Sequence, residues 1–235
     1  MNSRFLLFAI AVLAFAFVIS GCSKSDSSTG PEGTAPTIPT VLFKAPNTTS
    51  TDPNVQEIKT YVSVFNSFTT YFAPFQAVKP TQSGNAWQWN YPLATLAVVL
   101  TATPQSDGSF VWKLVLNGVD PSDGVSYNNW TALQGTTSSD GKNGSFKAYE
   151  ENKTTFELEF DWTTVNSVLT GTHKEYDNGA FTGRNVIVNN PDNSGSMMLY
   201  TGAVNTKKAT WIANGSGQWW SYNSSGAQTG TGTWN

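Results

Sequence analysis

The chain has 235 residues, a net charge of −3 and only 12% charged side chains. With no basic block, it does not fit a nucleic-acid partner. A single cysteine excludes a disulfide within the chain, and a single histidine leaves little for His-based catalysis or a transition-metal centre.

Residues 1–4 carry one positive side chain, Arg4, and residues 5–19 form an uninterrupted apolar run. The run is shorter than the about 20 apolar residues of a transmembrane helix, so residues 1–21 read as a secretory signal peptide. The sequence Ile19-Ser20-Gly21-Cys22 resembles the lipobox of bacterial lipoproteins. That resemblance implies cleavage between Gly21 and Cys22, a diacylglycerol on the Cys22 sulfur and an acylated new amino terminus. It also implies a cell-envelope protein held to a membrane through Cys22. Serine rather than aspartate at position 23 implies the outer membrane, with the domain in the periplasm or at the cell surface.

Residues 22–52 follow as the lipidated cysteine and a Ser/Thr/Pro/Gly-rich tether, too polar to offset the entropy of ordering. One apolar island, Val41-Leu42-Phe43, is expected to add an edge strand or to lie against the domain. Residues 53–235 are expected to form one domain. Asp52-Pro53 is a helix start, a capping side chain before proline at the first helical position. Val55, Ile58, Tyr61, Val62, Phe65, Phe68 and Phe72 recur at helical spacing, and Pro74 is the expected stop. Such a helix is about 30 Å long at 1.5 Å per residue. Its polar face carries a single lysine, Lys59, so the aromatic face is expected to pack on the domain's own sheet rather than on a membrane.

Beyond residue 85 the pattern alternates. Trp87, Trp89 and Tyr91, then Leu96, Val98 and Leu100, then Phe110, Trp112, Leu114 and Leu116 mark strands, and another surrounds Trp130. Phe156, Leu158, Phe160 and Trp162 alternate with Glu157, Glu159 and Asp161. Turn signals between these runs predict a mainly β fold, an antiparallel meander forming a barrel or sandwich with the N-terminal helix packed on it. A glycine precedes a tyrosine by five positions four times, at Gly144, Gly171, Gly195 and Gly217. Each is read as a turn glycine opening a hairpin. The last unit, residues 217–234, resembles MORN-type hairpin repeats, a likeness of pattern that carries no function.

Candidate chemistry is sparse. His173 reads as an exposed strand histidine. Asp120 with Asp123, and Asp192 with Asn193, read as turn residues rather than calcium ligands. No metal or cofactor is expected. Glu157 and Glu159 lie about 6.5–7 Å apart on one strand face, within reach of a glycosidase pair. They read more simply as a solvated face. Trp219 and Trp220 must point to opposite faces, so they join Trp87, Trp89 and Tyr91 as candidate ligand-facing aromatics, with a core wall as the alternative for the first row.

Three functions follow as expectations. The first is a non-catalytic binding or structural module of the envelope, with a glycan as a natural ligand. The second is a carrier of a hydrophobic or lipid ligand in a cavity between helix and sheet, similar in outline to Lol-type lipoprotein carriers and lipocalins. The third is a glycan-acting enzyme using Glu157 or Glu159.

Overall fold

The structure is a computed structural model and describes residues 34–235. The leader, Gly21 and Cys22 lie outside the described residues. The chain is mainly β, an antiparallel meander with one α-helix, α1 (Pro53–Ser67). It divides into two compact units.

One unit is built chiefly from Thr69–Gly141. It contains β1 (Thr81–Ser83), β2 (Ala86–Leu93), β3 (Leu96–Pro104), β4 (Phe110–Val119) and β5 (Ser126–Thr137), each paired antiparallel with the next. Alternation drives the packing. Leu96, Val98, Leu100 and Ala102 of β3 are buried, and Trp112, Leu114 and Leu116 of β4 pack on the same side. Tight turns join the strands where glycine supplies a left-handed residue, as at Gly108 with φ +83°.

The other unit holds Val41–Phe68, Lys142–Glu150 and Thr154–Asn235. It contains α1 and eight strands. These are β6 (Asn143–Tyr149), β7 (Phe156–Val165), β8 (Val168–Asp177), β9 (Ala180–Asn189), β10 (Gly195–Thr201), β11 (Val204–Trp211), β12 (Gly217–Tyr222) and β13 (Gln228–Trp234). They pair antiparallel in chain order and end at β13 as an edge, so no hydrogen-bonded ring closes among the described residues. No described helix is long and apolar enough to cross a membrane.

Asp52 caps α1 as expected, its Oδ1 accepting the Asn54 N–H at 2.7 Å. The helix is shorter than expected. It leaves α geometry at Ser67 and tightens into 3-10 turns at Phe68–Tyr71 and Ala73–Ala77, the second of which holds Pro74 in its first turn. The run Phe68-Thr69-Thr70-Tyr71-Phe72 is aromatic and β-branched, which weakens helix propagation before the proline is reached. The α-helical part packs on the sheet as expected. Phe65 lies 5.8 Å from Phe160 of β7 between ring centroids, and Phe68 stacks on Phe160 at 4.4 Å.

The apolar island of the expected tether is part of this unit. Phe43 is 2% exposed and its ring lies 5.2 Å from that of Phe65. Two asparagine side chains hold its backbone as a neighbouring strand would. Asn66 accepts the Phe43 N–H at 2.8 Å and donates to the Phe43 carbonyl at 2.9 Å. Asn189 accepts the Lys44 N–H at 2.7 Å and donates to the Lys44 carbonyl at 3.0 Å. The expected tether, residues 22–52, therefore includes residues 41–44 that pack in this unit. Its composition is polar on average, but Val41 and Phe43 bury enough apolar surface, and four hydrogen bonds at about 1 kcal/mol each help to hold them.

The repeat glycines do something other than turn. Each lies inside a strand under an aromatic ring. Register places Gly144 opposite Trp162, Gly195 opposite Trp211 and Gly217 opposite Trp234. A Cβ would stand 2.2 Å from the Trp162 ring at Gly144, 2.5 Å from Trp211 at Gly195 and 2.4 Å from Trp234 at Gly217. At Gly171 the covering ring is Phe43, at 2.3 Å. The register then slips by a residue just before each repeat tyrosine, at Ala148/Tyr149, Glu175/Tyr176, Leu199/Tyr200 and Ser221/Tyr222. The recurring pattern is thus a ring seat, a short strand and a bulge, which increases local twist.

Candidate functional site

The unit containing α1 has a polar cleft of about 410 Å³ beside the helix. Glu57 and Tyr61 reach it from α1, Glu175 from β8, Asn185 from β9, and Lys207 from β11. The helix supplies Glu57 and Tyr61 one turn apart, beside the residues that bury Ile58, Val62 and Phe65. The strands supply a row in direct register: Phe160, His173, Asn185, Leu199 and Lys207 across β7 to β11. At Phe160 the row is apolar and buried under the aromatic face of the helix. From His173 onward it turns polar, with Leu199 the exception.

One ion pair spans the cleft. Lys207 pairs with Glu57 and also donates to Asn54 Oδ1 at 2.9 Å. On the opposite face of the sheet Arg184 lies over the Tyr200 ring, 4.4 Å from its centroid. Burial, with Glu57 and Glu175 nearby, raises the Tyr61 phenol above its ordinary range, so it stays a neutral donor and acceptor. Two buried side-chain atoms of this unit, His173 Nδ1 and Asn205 Oδ1, have no hydrogen-bond partner among the described residues, and neither residue lines the cleft. His173 Nδ1 stands 3.7 Å from the Glu175 carboxylate, too far for a hydrogen bond.

His173 is not the exposed strand residue the sequence suggested. It is 5% exposed, because its position in β8 faces inward, 6.0 Å from the Phe65 ring. Burial pushes its pKa down to about 4. The folded state therefore takes up the proton less readily than the unfolded chain between pH 6.5 and 4, and stability falls as pH falls through that window. From pH 7.5 to pH 4.5 the protein is expected to lose about 2–3 kcal/mol more stability than a His173→Gln variant. Urea unfolding at the two pH values measures this, and equal losses in both proteins would refute it.

The aromatic candidates lie elsewhere. Trp87, Trp89 and Tyr91 face Ala102, Leu100 and Val98 of β3, the buried side. Trp89 is 2% exposed and stacks on Trp112 at 5.6 Å, and Tyr91 meets Phe75 edge-on at 6.3 Å. Trp89 is thus a core wall and not ligand-facing, because its ring sits on the apolar side of the hairpin. Trp219 and Trp220 do point to opposite faces, and both are half-buried. Trp219 lies opposite buried Ala209 and over Gly232, with its Nε1–H 3.3 Å from Asp52 Oδ2. Trp220 lies opposite Lys208, whose ammonium is 5.2 Å from its ring centroid. None of the five lines the cleft.

The paired carboxylates are also elsewhere. Glu159 and Asp161 hold Lys174 Nζ at 2.6 and 3.0 Å, and the Tyr176 hydroxyl donates to Glu159 at 3.2 Å. The face read as solvated is a half-buried ion-pair network, and neither Glu157 nor Glu159 lines the cleft. Asp120 and Asp192 serve their turns, each accepting from the backbone N–H and hydroxyl of the serine two residues on. Among the described residues no group of three His, Cys, Asp or Glu side chains is placed to hold a metal ion.

No protein-family model matches this chain, and no curated protein is detectably similar to it in sequence.

The cleft residues were missed because they come from five separate elements. One signal was present. In β9 the inward positions 183, 185, 187 and 189 read Gly, Asn, Ile, Asn, where a core strand reads apolar throughout. Buried polar residues at inward positions mark a place where the sheet faces something other than hydrocarbon.

Proposed function

We propose that this chain is a lipid-anchored envelope protein whose helix-bearing unit binds a polar ligand without transforming it. The anchor is the lipid on Cys22, and the outer membrane is its place. The polar cleft between α1 and β8–β11 is the observation that carries the binding role.

The lining bears on the hydrophobic-carrier alternative. Where α1 meets β7 the space is filled by the rings of Phe43, Phe65, Phe68 and Phe160, and the open space beside it is polar. A lipid tail there would strand the carboxylates and amides, so the lining favours a polar ligand. The test is native mass spectrometry of the full protein taken from its own envelope in detergent. A polar molecule is expected to be bound to it, and Glu175→Lys, which reverses a partly exposed charge in the cleft, is expected to remove that molecule with thermal stability kept. Bound lipid beyond the covalent anchor would favour the carrier instead.

A further inference from the structure

We infer that β13 is a docking edge for a second copy of this chain, the two strands pairing antiparallel about a two-fold axis at Thr231. The edge is separate from the cleft, none of whose lining residues comes from β13.

The edge is open. β13 pairs with β12 on one side, and no described strand pairs with the other. The N–H and C=O groups that point away from β12 are therefore spaced to take one more strand. Edge strands are commonly blunted by shortness, proline or charge. β1, the end strand of the other unit, uses such devices: it has three residues and follows Lys79-Pro80. β13 has seven residues, Gln228 to Trp234, with neither proline nor charge. The register slip opposite Ser221/Tyr222 falls at its Gln228 end, and Gly230 to Trp234 run in regular register with β12.

The sequence of the strand names the occupant. Residues 229–233 read Thr-Gly-Thr-Gly-Thr, the same in both directions about Thr231. Two copies of one strand related by a two-fold axis run antiparallel, and a palindrome then sets like on like. Thr231 meets its own counterpart, Gly230 meets the second copy's Gly232, and Thr233 meets the second copy's Thr229. Facing threonines are a favourable cross-strand pair, and facing glycines bring no side chains to clash. Thr231 and Thr233 are exposed on one face of the strand. On the other face the Trp219 ring covers Gly230 and Gly232, which holds the strand in place although it carries no side chains there.

Charge permits the approach. The chain carries −3 overall, which opposes self-association. Residues 209–235 contain no charged side chain, so two β13 edges meet without like charges facing each other. A pair of five-residue segments buries far less than the about 1,600 Å² of a standard interface. The pairing is therefore weak in dilute solution and is favoured where the proposed anchor at Cys22 concentrates the copies.

The experiment uses the full protein in its own membranes, with one cysteine introduced at an exposed threonine and mild oxidation. Residues directly opposite in an antiparallel pair have Cα atoms about 4.5–5.5 Å apart, a distance a disulfide spans. Thr231→Cys is therefore expected to give a dimer that reductant separates. Thr233→Cys checks the register. Its counterpart lies about 13 Å away along the strand, so it is expected to give about tenfold less dimer. The unsubstituted protein sets the background from Cys22. In detergent at high protein concentration, native mass spectrometry of the unsubstituted protein is expected to show a dimer. Thr231→Lys, which sets like charges face to face on the axis, is expected to lose it with melting temperature unchanged. No dimer from Thr231→Cys, or as much from Thr233→Cys, overturns the proposal. So does a dimer that survives Thr231→Lys, which places the contact elsewhere on the surface. A Thr231→Cys link to a different protein overturns it as well and gives the edge to that partner.

Discussion

Replacing Cys22 by alanine is expected to reduce metabolic labelling by a fatty-acid analogue to background. Cys22 is the only thiol in the chain, so no other cysteine can take the lipid. Each buried methylene contributes about 0.8 kcal/mol to membrane binding, and one chain alone anchors only marginally. The diacylglycerol and amino-terminal acyl chain implied by the lipobox together hold firmly. The protein is thus expected in the membrane fraction at high salt, which strips proteins bound by charge alone. Loss of label decides the matter, because an uncut leader would still keep a Cys22→Ala chain at the membrane. Undiminished labelling of Cys22→Ala would show that the lipobox reading is wrong. Among the described residues burial of apolar side chains begins at Ile38, so a tether from Cys22 would span residues 23–37. A stretch of that length extends at most about 50 Å, against about 100 Å if it ran to residue 52.

Gly144→Ala is expected to destabilise the protein by about 3 kcal/mol, lowering its melting temperature by about 6–12 °C. The position asks nothing unusual of the backbone. The cost comes from the Trp162 ring, which occupies the space a Cβ would need, with three ring atoms between 2.2 and 2.6 Å away. The ring has little room to retreat, since Trp162 is 4% exposed and stacks on Phe146 at 5.8 Å. Trp162→Leu alone is expected to cost about 3 kcal/mol, as large core truncations do. In that background Gly144→Ala should cost less than about 1 kcal/mol, because the methyl group then helps fill the space the ring left. Equal cost in both backgrounds would mean that glycine serves the backbone there, as a turn residue would, and that the ring seat is not its reason. The same logic applies at Gly217 under Trp234. It is less clean there and at Gly195, because the Thr210 carbonyl at 2.2 Å and the Val188 carbonyl at 2.4 Å also crowd these sites.

Much of the fold was legible because alternation and turn chemistry are local. Phe156, Leu158, Phe160 and Trp162 marked β7, and Asp52-Pro53 marked the first residue of α1. The end of α1 was misplaced because proline is a conspicuous stop, whereas a run of aromatic and β-branched residues weakens a helix gradually. The repeat was found but misread. Glycine suggests a turn when seen alone, and its true reason, a tryptophan on the neighbouring strand, depends on register between residues up to 18 positions apart, as for Gly144 and Trp162. A recurrent turn signal passed unnoticed. Asp107, Asp192, Asn214 and Asn223 each accept from the serine two residues on, fixing one hairpin after another. The cleft was the least legible part. Glu57 and Tyr61 looked like solvent-facing and core-facing helix residues, and Glu175 and Asn185 like ordinary strand residues. Only the pairing of β8 with β9, under a helix more than 100 residues earlier in the chain, brings them to one opening.

The most direct test of a lipid-anchored protein with a polar binding cleft is native mass spectrometry of the full protein extracted from its own envelope in mild detergent. One spectrum reads both halves of the claim. A chain beginning at Cys22 is expected, carrying the covalent mass of a diacylglycerol with or without a further acyl group. A second, non-covalent mass is expected from a polar molecule that leaves on gentle activation and is missing from Glu175→Lys. An unlipidated chain would contradict the anchor, and a lipidated chain with an empty cleft, or with a bound lipid in place of a polar molecule, would contradict the binding role.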